Sequence, residues 1–105
     1  LISEFQNTRF KMAEMFTIAE LTQAFIDRLI QEHLAGAKVD AETAMAKYWT
    51  TENLNKITNE CLQFFGGYGY MEEYPIARAF RDARAQPIYA GTNEIMKEII
   101  ARNVL

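Results

Sequence analysis

The sequence predicts an all-α fold, a helical bundle built from two long helices and two short ones. Apolar residues recur at helical spacing over long stretches, and no segment alternates apolar and polar as a strand would. Glycine and proline gather at a few junctions instead of interrupting those stretches. At 105 residues the chain is one domain, 1–105, long enough for a single core.

From Phe5 to Leu34 the positions Phe5, Met12, Met15, Phe16, Ala19, Phe25, Ile26, Leu29 and Ile30 mark the first long helix, with no glycine or proline inside it. Ser3-Glu4-Phe5-Gln6 has the form of a capping box, with Ser3 as N-cap and Gln6 reaching back; Gly36 is the stop. Asp40 is placed to cap a second helix running to about Phe65. Its buried face is expected to hold Ala44, Tyr48, Leu54, Ile57, Cys61, Leu62 and Phe65. The glycines of Gly66-Gly67-Tyr68-Gly69-Tyr70 end that helix. Pro75 suits the first turn of a short helix through about Ala83. Gln86 to Gly91 reads as a loop, and Thr92 caps a last helix from Asn93 to about Val104, with Ile95, Met96, Ile99 and Ile100 on one side. Two long helices alone enclose a thin core, so the bundle is expected to lack one helix that a missing segment or a second subunit supplies. The start at Leu1, inside apolar sequence, reads as that of a fragment of a larger protein.

A net charge of −3 argues against nucleic acid as the main partner. No apolar run approaches the roughly 18 residues of a membrane span. The N-terminus has no signal-peptide pattern. The single cysteine, Cys61, cannot form an internal disulfide, which suits a reducing compartment such as a bacterial cytoplasm or the mitochondrial matrix. One histidine and one cysteine do not make a metal site, and His33 reads as a surface residue favoured by a helix C-terminus. Gly67-Tyr68-Gly69 follows a helix, whereas a dinucleotide-binding turn follows a strand.

Two clusters remain. Gln63-Phe64-Phe65-Gly66-Gly67-Tyr68-Gly69-Tyr70, then Glu73-Tyr74-Pro75, Arg78 and Arg81-Asp82, form the first. The second is Ile88-Tyr89-Ala90-Gly91-Thr92-Asn93-Glu94-Ile95, with Ala101-Arg102 beyond it. Together with Gln6 and Phe10-Lys11-Met12-Ala13-Glu14-Met15, they resemble the C-terminal helical domain of acyl-CoA dehydrogenases along the whole chain. The resemblance implies an FAD enzyme of fatty-acid β-oxidation. A base takes the proton α to a thioester carbonyl, and hydride leaves the β carbon for the flavin, giving enoyl-CoA. It also implies an acyl-CoA substrate, electron-transferring flavoprotein as oxidant, and a homotetramer built from dimers.

Carried over by position, Gln63, Gly66 and Gly67 match contacts to the FAD diphosphate, often that of a neighbouring subunit. Closely approaching backbone N–H groups would serve such a contact; equally, the glycines could only end the helix. Gln6 matches a position near the adenine end of FAD, with the capping box as its rival role. Thr92, Asn93 and Glu94 match positions at the FAD, although Thr92 is also a good cap and Glu94 is favourable at any helix N-terminus. Asp82 with Arg78 and Arg81 reads as a structural ion-pair set. Tyr89, Ala90 and Gly91 would line the thioester pocket. The two clusters are expected to close around one flavin.

Position 90 departs from the family pattern. Most members carry glutamate there as the base, and a methyl group cannot accept a proton. In the long-chain and isovaleryl branches this position is small and the glutamate comes from the preceding helix, which here would lie upstream of Leu1; Tyr89 to Glu98 resembles the long-chain branch most. The alternative is a member that has lost dehydrogenation. Glu72 and Glu73 flank a loop that the family places away from the reacting carbons. No residue of this chain is therefore assigned as the base. A rival of another class is a non-catalytic helical oligomerisation module.

Overall fold

A computed structural model describes residues 1–105 and contains four α-helices and no strand. They are α1 (Gln6–Leu34), α2 (Asp40–Phe65), α3 (Pro75–Ala85) and α4 (Asn93–Val104). Short 3-10 turns occupy Ile2–Glu4 and Gly66–Tyr70.

The helices stand where apolar periodicity places them, but two caps do not form. Ser3 is taken up by the first 3-10 turn, so the N-cap of α1 is Phe5, which has no side-chain acceptor to offer. At α2 the cap is Val39, and Asp40 is the first helical residue, where its charge still favours the helix N-terminus. Thr92 caps α4 as expected, its Oγ1 accepting from the Ile95 N–H at 3.2 Å. Gly36 (φ +84°) follows α1, and α3 runs two residues past Ala83, to Ala85. His33 is exposed in the last turn of α1.

Helices α1 and α2 form an antiparallel hairpin. Lys11 Nζ meets Glu60 Oε2 at 2.6 Å near one end, and Trp49 Nε1 donates to Thr22 Oγ1 at 2.8 Å nearer the other. Helix α2 is the hub, touching α1, α3 and α4. Its buried residues are Ala44, Ala46, Thr51 and Thr58. Of the expected apolar face, Tyr48, Ile57, Cys61 and Leu62 are half-buried, while Leu54 and Phe65 are exposed. The face of α2 that meets α3 and α4 is thus small and polar rather than large and apolar.

Candidate functional site

The second cluster is shaped by what α2 offers it. Asn55 Nδ2 donates to the Ala83 carbonyl at 2.8 Å, tying the end of α3 to the middle of α2. The chain then turns back on itself: Ile88 N and Tyr89 N both donate to the Ala85 carbonyl, and Asn93 N donates to that of Pro87. Ala90 (φ +55°) and Gly91 (φ +87°) follow one another in the left-handed region, a conformation that glycine adopts freely and alanine only under constraint.

The constraint comes from below. Lys47 Nζ donates to the Gly91 carbonyl at 2.7 Å and to Asn93 Oδ1 at 2.8 Å. Asn93 is 2 % exposed. Its Nδ2 donates to Thr51 Oγ1 at 2.9 Å and to the Tyr48 carbonyl at 3.4 Å. Above this network Tyr89, Ala90 and Gly91 lie exposed, and the N–H groups of Ala90, Gly91 and Thr92 have no acceptor within the chain. The Thr92 hydroxyl accepts from Ile95, which leaves its own proton to donate. Glu94 is exposed and shares with Glu52 and Arg84 the rim of a cleft of about 320 Å³.

The first cluster sits at the far end of α2. Gly66 (φ +61°, ψ −141°) ends the helix, and a Cβ added at Gly66 or Gly67 would meet nothing within 4 Å. Gln63 is exposed beside them, its carboxamide without an intrachain hydrogen bond. Gln6, in the first turn of α1, lies at this same end of the hairpin, by the direction of the Lys11–Glu60 pairing. With Ser3 elsewhere, Gln6 has no capping role, and its side chain too is exposed without an intrachain partner. This end of the hairpin thus carries open glycine backbone and two uncommitted carboxamides.

Between Lys47 and Gln63, α2 rises about 24 Å, at 1.5 Å per residue. None of the larger cavities draws on both clusters. Within this chain the two stretches are therefore separate surfaces, and no cavity of these residues alone joins them.

Asp82 makes no ion pair. Arg81 instead approaches Glu72 at 3.6 Å, and Arg78 donates to the Glu72 carbonyl at 2.7 Å. Burial pushes the Cys61 thiol up, and the neighbouring Glu60 carboxylate adds to it, so Cys61 is a poor nucleophile. Lys47, Thr51 and Asn55 were not signalled as site residues by sequence, because polar side chains on a helix ordinarily mark a solvated face. Their spacing along α2 with Ala44 and Thr58 was the available sign.

The family model for the acyl-CoA dehydrogenase C-terminal domain matches residues 1–105. The chain belongs to the acyl-CoA dehydrogenase family. It is 49% identical over 104 residues to the long-chain specific acyl-CoA dehydrogenase, mitochondrial, of Sus scrofa, covering 99% of this chain and 24% of that protein. A crystal structure of an acyl-CoA dehydrogenase from Geobacillus kaustophilus superposes with a TM-score of 0.96 at 52% identity, over 98% of this chain and 27% of that one. A chain from a structural study of the electron transferring flavoprotein of Acidaminococcus fermentans superposes with a TM-score of 0.95 at 35% identity, over 99% of this chain and 27% of that one. The chain thus spans about a quarter of the length of the curated relatives it matches. Members of this family are flavoproteins. Within the acyl-CoA dehydrogenase family, this chain carries alanine immediately before the Gly91-Thr92 pair.

Proposed function

We propose that these residues form the C-terminal helical domain of an FAD-dependent acyl-CoA dehydrogenase that converts an acyl-CoA to its trans-2-enoyl-CoA. The observation that carries the reading is the exposed left-handed turn at Ala90-Gly91, with unpaired N–H groups from Ala90 to Thr92. Such a turn offers preorganised donors to a thioester carbonyl oxygen. Donors aimed there stabilise the negative charge that grows when the α proton leaves. The methyl group of Ala90 leaves room for the thioester and for a carboxylate base that comes from a segment outside these residues. Bound FAD would accept hydride from the β carbon.

Thr92 would then donate a hydrogen bond from its hydroxyl to the flavin, with Asn93 and Glu94 setting the start of α4 beside it. Asn93 acts from within, since its side chain is committed to α2. Because the two clusters are far apart along α2, Gln63, Gly66 and Gly67, with Gln6, serve the diphosphate and adenine end of a flavin held by a second subunit. That arrangement calls for a homo-oligomer, and the family resemblance implies one built from dimers, with electron-transferring flavoprotein as the oxidant. Either the mitochondrial matrix or a bacterial cytoplasm would suit it.

The direct test is anaerobic titration of the full-length flavoprotein with straight-chain and branched acyl-CoAs. At least one is expected to bleach the flavin absorbance and yield the enoyl-CoA. A bound flavin that no acyl-CoA reduces would return the chain to the reading in which dehydrogenation has been lost.

A further inference from the structure

Three of the protein's lysines pair with carboxylates: Lys11 with Glu60, Lys38 with Asp40 and Lys97 with Glu52. Lys47 does not. No carboxylate lies within 4 Å of it, and its hydrogen bonds go to the Gly91 carbonyl and Asn93 Oδ1, residues 44 and 46 positions away in sequence. A half-buried ammonium served only by neutral acceptors is costly to hold, so its geometry bears a demand from elsewhere. That demand is at the turn. In a trans peptide the C=O and N–H point in opposite directions. Drawing the Gly91 carbonyl down onto Lys47 therefore turns the Thr92 N–H of the same peptide away from α2, toward the exposed side. The ammonium also polarises that peptide, which makes its N–H a stronger donor. Through Asn93 the same cation fixes where α4 begins.

We propose that Lys47 is a positioning residue. It holds Ala90 and Gly91 in their left-handed conformation from beneath and thereby aims the N–H groups of the turn. Its effect on turnover presupposes the dehydrogenase reading; its effect on the rigidity of the turn does not.

The test compares Lys47→Met with Lys56→Met in the full-length protein. Lys56 is an exposed lysine of the same helix without a hydrogen-bond partner or ion pair. By hydrogen exchange, Lys47→Met is expected to speed exchange in residues 88–96 about tenfold, while the C-terminal half of α2 stays as it was. Turnover per bound flavin is expected to fall roughly tenfold to a hundredfold, with the KM for acyl-CoA changing much less. Lys56→Met should move neither readout. The proposal is overturned if exchange in 88–96 is unchanged in Lys47→Met, or if both variants shift it alike. Unchanged turnover per flavin in Lys47→Met, with a loosened turn, removes the catalytic consequence. A wild-type protein that no acyl-CoA reduces would count against the dehydrogenase reading alone, because the exchange result stands without it.

Discussion

Gly66, Gly67 and Gly69 lie close together in sequence, yet three different forces act on them. Gly66 holds a backbone conformation that side chains rarely adopt, so Gly66→Ala should cost about 1–3 kcal/mol. A Cβ on Gly69 would stand 2.5 Å from the Leu62 carbonyl, so the turn would have to shift away from α2. Gly67 is open and conformationally ordinary. Gly67→Ala should therefore leave the thermal midpoint near that of the wild type. If phosphate approaches the backbone there, the same change should speed loss of flavin from the full-length protein. Unaltered flavin retention would leave helix termination as the whole role of the glycine pair. Thr92→Val removes the cap and should cost about 1 kcal/mol by chemical denaturation. The raised Cys61 pKa leaves less thiolate at any given pH. Alkylation by iodoacetamide should rise with pH later than in an unstructured cysteine peptide.

Along α2, the residues that matter for the site are Lys47, Thr51 and Asn55, each bonded to a group of α3, α4 or the turn between them. Asn55→Ala leaves the Ala83 carbonyl with the Gln86 N–H alone, and a stability loss of about 0.5–1.5 kcal/mol is expected in thermal or denaturant melts. The helices themselves were legible in sequence because burial imposes a period, and glycine and proline mark the ends. The starts of α1 and α2 were less so: Ser3 and Asp40 are good caps chemically, but local turns set the register ahead of them. The Gly91-Thr92 turn could be recognised by its residues. Its anchors could not, because a lysine that grips a carbonyl across the fold and one that floats in water are the same letter. The separation of the two clusters emerged only once the turn was seen anchored at Lys47, far along α2 from Gln63.

For the whole molecule, size and burial tell one story. The radius of gyration is 16.4 Å, against about 13 Å for a compact domain of this length. Nine of 105 residues are buried, and Phe5 at the N-cap of α1 and Phe10, Phe16 and Leu21 on it each expose more than half of their surface, an apolar area that a stable monomer would cover. The 105 residues expressed alone should self-associate, bind a hydrophobic dye and hold FAD weakly. A monodisperse, dye-negative monomer by sedimentation would contradict this. No helix is long and apolar enough to cross a membrane.

The rod-like span of α2 bears on how defects combine. If its two ends attend to ligands in different subunits, a lesion at Gly66 spoils the neighbour's centre while one at Thr92 spoils its own. Co-expressing the two crippled forms would concentrate both faults in one centre of each mixed pair and leave the other whole. Two inactive variants would then rescue each other, as they could not if both ends met the same flavin.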